Sequence, residues 1–225
     1  MKPSYITVAV IILTCALCGA CCAWEYFYDA STLPNDPSLG ADEWRTFSGS
    51  DVSMCTTDGD ILHVVDARTD KSAYFYRYSA PPLSPITMEA RVRVASGWGT
   101  TVDVGTPSFR TLVSLYPDHV EASFSYGGWA TYSADMTAYH TIRVATDSQG
   151  RSYVWLDGAE IAQGVTTVGN QGAVSFGGFS VAGLSESYWD YVAYSAAFLP
   201  IPEPFSLLTL ACGLAGVGWA ARSRR

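Results

Sequence analysis

Tyr153-Val154-Trp155-Leu156-Asp157-Gly158-Ala159-Glu160-Ile161 is the stretch that decides the fold class. Asp-Gly stands between two β-prone runs and readily takes the positive φ angles of a type I′ turn, so the segment reads as a β-hairpin. Turn chemistry thereby accounts for Asp157 without a catalytic role.

Outward from the hairpin, period-two alternation recurs. In residues 87–94, Met88, Ala90, Val92 and Val94 face one way and Glu89, Arg91 and Arg93 the other, as in an antiparallel strand with one buried face. The same alternation predicts strands over 61–65, 73–78, 112–115, 121–126 and 141–144. No segment between residues 24 and 200 offers a helix of ordinary length. Aromatic residues make up 13% of the chain and Gly occurs 20 times, while the only lysines are Lys2 and Lys71. That composition suits short strands and tight turns better than charged amphipathic helices.

Both ends of the chain differ from this middle. Residues 1–23 hold a single Lys2, the uncharged run 5–17 and then Gly19, Ala20 and Ala23, the order of a secretory signal peptide. Cys18-Gly19-Ala20-Cys21 also ends in a cysteine that a lipid would need, although Cys18 stands where a large aliphatic residue is expected. At the other end Ile201-Pro202-Glu203-Pro204 leads into the uncharged, apolar residues 205–221, and the chain closes on Arg222-Ser223-Arg224-Arg225. Seventeen helical residues span about 25 Å, the short limit for crossing a bilayer. Arginines directly after the span favour the cytoplasmic side, so the middle is expected outside the membrane.

The Pro202-Glu203-Pro204 triplet, the apolar span and the arginine-rich terminus resemble the sorting signal of the bacterial PEP-CTERM proteins. The resemblance implies recognition and cleavage by an exosortase near Pro202, in an organism that makes exopolysaccharide, with the cargo delivered to the cell surface or extracellular matrix. It covers residues 201–225 and is silent on residues 24–200, because such tails are attached to unrelated cargo.

Nine of the 13 basic and twenty of the 21 acidic residues lie in residues 24–200, a net charge of −11. So acidic a domain, with its basic residues scattered, repels phosphate backbones and speaks against nucleic-acid binding. Only Cys55 lies in the middle, which leaves no internal disulfide and no Cys-x-x-Cys pair; it reads as a small buried residue.

Tyr139-His140-Thr141-Ile142-Arg143-Val144, the polar turn 147–150, the hairpin above and the closing run Ser187-Tyr188-Trp189-Asp190-Tyr191-Val192-Ala193-Tyr194 resemble the concanavalin A-like lectin and laminin-G-like superfamily. The resemblance implies an all-β, antiparallel jelly-roll sandwich over 24–200, flanked by the signal peptide (1–23) and the sorting tail with its transmembrane helix (205–221).

Glycosidases of that superfamily carry two glutamates flanking an aspartate on one strand, so that acid and nucleophile share a face. No such string occurs here: Thr101-Val102-Asp103-Val104 has one carboxylate and no acidic partner within five residues. His63, His119 and His140 read as structural or surface residues, and no Gly-x-Ser-x-Gly elbow supports a nucleophilic serine. Asp58-Gly59-Asp60 offers oxygens to a calcium ion, but Asp-Gly clusters are foremost turns and the spacing of an EF-hand loop is absent. The remaining candidates are aromatic. Trp98 between Gly97 and Gly99, and Tyr126 and Trp129 around Gly127-Gly128, fall at loops or strand ends, where rings either stack on sugars or cap the core. The chain therefore reads as an exported, non-catalytic surface or matrix protein with glycan or protein partners, against two alternatives: a polysaccharide lyase or glycosidase, and a passive structural protein.

Overall fold

The computed structural model describes residues 24–78, 85–106, 108–125, 128–166, 173–178 and 184–200. In chain order the strands are β1 (Tyr26–Tyr28), β2 (Arg45–Thr46), β3 (Cys55–Asp58), β4 (Ile61–Asp66), β5 (Ala73–Tyr78), β6 (Ile86–Gly97), β7 (Thr100–Gly105), β8 (Arg110–Leu115), β9 (His119–Ser125), β10 (Gly128–Ser133), β11 (His140–Thr146), β12 (Arg151–Leu156), β13 (Ala159–Val165), β14 (Ala173–Gly178) and β15 (Ser185–Ser195). Among the described residues the only helical turns are two short 3-10 segments, at Pro37–Asp42 and Val52–Met54. Asp36 and Asp51 cap them by accepting from the Ser38 and Ser53 N–H groups.

Two antiparallel sheets result. Sheet A runs β13-β12-β11-β6-β15-β4-β3, with β1 also on β15, and sheet B runs β10-β9-β8-β7-β14-β5-β2. The Asp-Gly turn between β12 and β13 is as expected: Asp157 (φ 49°) and Gly158 (φ 83°) both take positive φ. In β6 Met88, Ala90, Val92 and Val94 are fully buried between the sheets as expected, but the opposite face is open only from Arg91 on, since Thr87 and Glu89 are also buried, Glu89 against Arg143. Between the sheets lies an aromatic cluster in which Phe176 meets Trp44 edge-on at 4.9 Å, Trp189 at 4.9 Å and Phe75 at 5.5 Å. The indole N–H of Trp189 donates to the Ser187 hydroxyl at 3.0 Å, so the ring is buried without an orphaned donor.

Cys55 is in this core, its thiol pushed up to about 12, chiefly by burial. The turn from β6 into β7 crosses from one sheet to the other. There Gly97 (φ 87°) packs so closely on β15 that an added Cβ would lie 1.7 Å from the Leu184 carbonyl oxygen.

The leader (1–23), the Pro202-Glu203-Pro204 triplet and the apolar run 205–221 lie outside the described residues. Among the described residues no helix is long and apolar enough to cross a membrane.

Candidate functional site

Strand register lays out the outer face of sheet B as rows perpendicular to the strands. One row reads Trp129, Ser123, Leu112, Asp103, Ser175, Tyr76, Arg45 across all seven strands. At about 4.8 Å per strand the row is roughly 29 Å long, but its centre is closed to solvent, with Asp103 and Ser175 each 1% exposed, so the open part is at the β10 end. The adjacent row reads Thr131, Glu121, Ser114, Thr101, Gly177, Tyr74.

Trp129 stands at one end of the first row with half of its surface (51%) exposed. β10 begins with a bulge at Gly128/Trp129, and every residue from Trp129 to Ser133 is exposed. The ring therefore presents a face to solvent rather than capping the core. Trp98 is more exposed still (65%), held at the β6–β7 turn by its own N–H, which donates to the Leu184 carbonyl at 3.0 Å.

The two tryptophans do not converge. Trp98 precedes Thr100, which pairs with Leu115 at the far end of β7 from Asp103. It is therefore at least about 10 Å along the strands and about 14 Å across them from Trp129. Tyr126, the third aromatic expected at the site, lies outside the described residues.

The centre of the face holds a group that sequence spacing did not bring together. Asp103, only 1% exposed, accepts from Arg110 through Nε (3.2 and 3.0 Å to its two oxygens) and Nη2 (2.8 Å). The Tyr74 hydroxyl lies 3.4 Å from Asp103 Oδ2 and 2.6 Å from the Ser175 hydroxyl. Burial pushes the Asp103 carboxyl up from its usual range, against the pull of Arg110, Tyr74 and Ser175. Phe47 stacks on the Tyr74 ring at 5.1 Å.

A double-displacement glycosidase needs a second carboxyl about 5–5.5 Å away. The outward neighbours of Asp103 are Thr101 and Gly105 on its own strand and Leu112 and Ser175 across it. None is acidic. Glu121 stands two strands and one row away, roughly 12 Å between Cα positions.

The remaining candidates are structural in their surroundings. His119 stacks on Tyr116 (4.3 Å, 6°), with Nδ1 2.6 Å from Asp118 and Nε2 3.5 Å from Glu121. His140 bridges the Asp157 carboxylate (2.6 Å) and the Asp135 carbonyl (2.8 Å), while Asp157 also accepts from the Thr141 N–H at 2.9 Å. The hairpin aspartate thus ties β11 to the β12–β13 turn. His63 lies 3.0 Å from Glu186 on sheet A. Asp58, Gly59 and Asp60 form the exposed β3–β4 turn, and no group of three or more His, Cys, Asp or Glu suited to a metal occurs among the described residues.

No family model and no curated protein matches this chain by sequence. Its fold does match solved structures. A native glycosidic hydrolase superposes with a TM-score of 0.57 at 13% identity, over 78% of this chain and 97% of the hydrolase. A prokaryotic β-1,3-1,4-glucanase (lichenase) from a mouse hindgut metagenome gives 0.53 at 13%, over 68% and 93%. The binding domain of botulinum neurotoxin DC in complex with SialylT gives 0.51 at 10%, over 76% and 48%. The chain spans 18% of the length of a sialidase that it also resembles. At these identities the likeness establishes the concanavalin A-like sandwich and nothing finer.

Proposed function

We propose that this is an exported bacterial surface or matrix protein whose sandwich binds polysaccharide without cleaving it, at the β10 end of the outer face of sheet B with Trp129 as the stacking platform. The observation that carries the reading is the half-exposed Trp129 ring, on a face whose one deeply buried carboxylate is engaged by Arg110 instead of being aimed at solvent beside a second acid. A binding face tolerates a neutralised carboxylate; a hydrolase would lose its acid or its nucleophile. The glycan-directed proteins among the structural neighbours support a sugar ligand by analogy of fold. The exposure of Trp98 and Trp129 speaks against a purely passive scaffold.

Export through a PEP-CTERM-type tail, membrane retention through residues 205–221 and release by an exosortase near Pro202 complete the proposal; they rest on the sequence of the two ends. A polysaccharide hydrolase is the second reading, favoured by the hydrolases among the neighbours.

Co-sedimentation of the full-length protein with insoluble neutral glucans, with calcium and with chelator, tests the binding reading. Retention that falls at least tenfold in Trp129→Ala supports it; no retention on any polymer, or retention unchanged in that variant, overturns it. Release of reducing sugar would establish the hydrolase instead. For the tail, the C-terminus of the surface-exposed protein read by mass spectrometry is expected near Pro202, and an intact Arg225 would exclude processing.

A further inference from the structure

The outer face of sheet A carries an arginine that makes no ion pair among the described residues, although its charge helps to hold the nearby Glu186 carboxyl below its usual range. Six of the eight described arginines (Arg68, Arg77, Arg91, Arg110, Arg143 and Arg151) each hold a carboxylate. Arg45 lies exposed on the short edge strand β2. Arg93 differs from all of these. It is half-buried in the middle of β6, its Nε is buried without an acceptor, and its guanidinium makes no ion pair among the described residues.

Aromatic rings position it instead. The guanidinium carbon lies 3.8 Å from the centroid of Tyr188 and 5.5 Å from that of Tyr139. On the row through this point, His63 stacks on Tyr188 at 4.2 Å and 7°, so His63, Tyr188 and Arg93 follow one another across β4, β15 and β6. The carboxylates nearby are already engaged. Glu186 accepts from the Tyr188 hydroxyl (2.6 Å) and meets His63 (3.0 Å), and Asp190 pairs with Arg91. Arg91 adds a second guanidinium 5.0 Å from the Tyr139 ring.

An arginine held by rings keeps the N–H edges of its fork for a planar acceptor. Left unmatched in a half-buried position it costs stability, because stacking satisfies the charge but not the donors. We propose that Arg93, flanked by Tyr139 and Tyr188, is a binding site for a single carboxylate carried on a sugar, as in the uronate units of an acidic polysaccharide. One guanidinium matches one carboxylate. The choice of a sugar as the carrier rests on the glycan-binding reading above, but the site lies on the opposite sheet from Trp129 and is separable from it.

The test is calorimetric titration of full-length protein with polygalacturonate and, in parallel, with a soluble neutral glucan, for the native chain and for Arg93→Gln, Arg93→Lys and Trp129→Ala. The expected result is a loss of at least tenfold in polygalacturonate affinity in Arg93→Gln, and a smaller loss in Arg93→Lys, which keeps the charge but not the fork. Neutral-glucan affinity should stay within about twofold in both, which also reports that they fold. Polygalacturonate affinity unchanged in Arg93→Gln, or no binding of polygalacturonate to the native chain, overturns the site. Neutral-glucan binding that depends on Trp129 would stand in either case. Poly-L-glutamate bound equally well, with the same dependence on Arg93, would assign the site to acidic proteins and overturn the uronate assignment.

Discussion

Truncating the two partners of the Asp103–Arg110 pair should cost unequal amounts of stability. Arg110→Ala leaves a carboxylate that is 1% exposed, with only the neutral hydroxyls of Tyr74 and Ser175 beside it, whereas Asp103→Ala leaves a guanidinium whose side chain is 38% exposed and so remains partly hydrated. Breaking a buried pair costs about 3–5 kcal/mol, and removing the charge that would be stranded recovers part of that. Asp103→Ala is therefore expected near the lower figure, about 3 kcal/mol, and Arg110→Ala near the upper, about 5 kcal/mol. At about 2–4 °C per kcal/mol for a domain of this size, the melting temperature falls by roughly 6–12 °C and 10–20 °C respectively.

The double variant should be more stable than Arg110→Ala alone, because no unpaired ion remains. The pH dependence carries a definite sign. Without Arg110 the Asp103 carboxyl is raised further by burial, so the folded state binds the proton more tightly than the unfolded chain. Stability of Arg110→Ala then falls as pH rises through that raised value, and its deficit against the native protein shrinks from pH 8 towards pH 5. Urea melts of the four proteins at both pH values measure this. Equal, additive and pH-independent losses would refute the account of Asp103 as a carboxylate that depends on its arginine.

Three further outcomes follow from the same geometry. Gly97→Ala should destabilise strongly or abolish folding, as read by far-UV circular dichroism, since the new Cβ would lie 1.7 Å from the Leu184 backbone oxygen at a φ of 87°. Trp98→Ala should leave neutral-glucan binding within about twofold of the native value, measured by calorimetry beside Trp129→Ala, because Trp98 stands roughly 14 Å away across the strands. In acid, the protein should lose thermal stability as pH falls through and below about 4. The Ser31 hydroxyl and N–H hold Asp29, and the Tyr188 hydroxyl and His63 hold Glu186, below the usual carboxylate range. The unfolded chain therefore takes up the more protons on acidification, and a melting temperature that rises between pH 6 and pH 3 would contradict this.

Much of the sandwich is written locally, in patterns that need no knowledge of the partner strand. Asp157-Gly158 makes its turn because those two residues tolerate positive φ, and Met88 to Val94 face the core because strand side chains alternate. β14, the bulged β10 and the two-residue β2 were not legible, since 173–178 mixes small and aromatic residues that are buried on both faces and 129–133 is exposed on both. Trp98 and Trp129 were each legible as candidate stacking rings at strand ends; that they stand apart is decided by register, which places them at different ends of the strands. Asp103 looked solitary within five residues in sequence; its guanidinium lies seven residues on, brought opposite by the β7–β8 pairing, and its two hydroxyl neighbours arrive from Tyr74 and Ser175 on two other strands.

What the sequence determined alone is what depends on short-range stereochemistry and composition: all-β class, hairpin, strand faces, and the contrast between an acidic middle and apolar ends. Which side chains meet, which carboxylate is paired and which arginine makes no ion pair were decided only by the tertiary structure, because in an antiparallel sandwich neighbours on a face come from strands more than a hundred residues apart, and register alone aligns them.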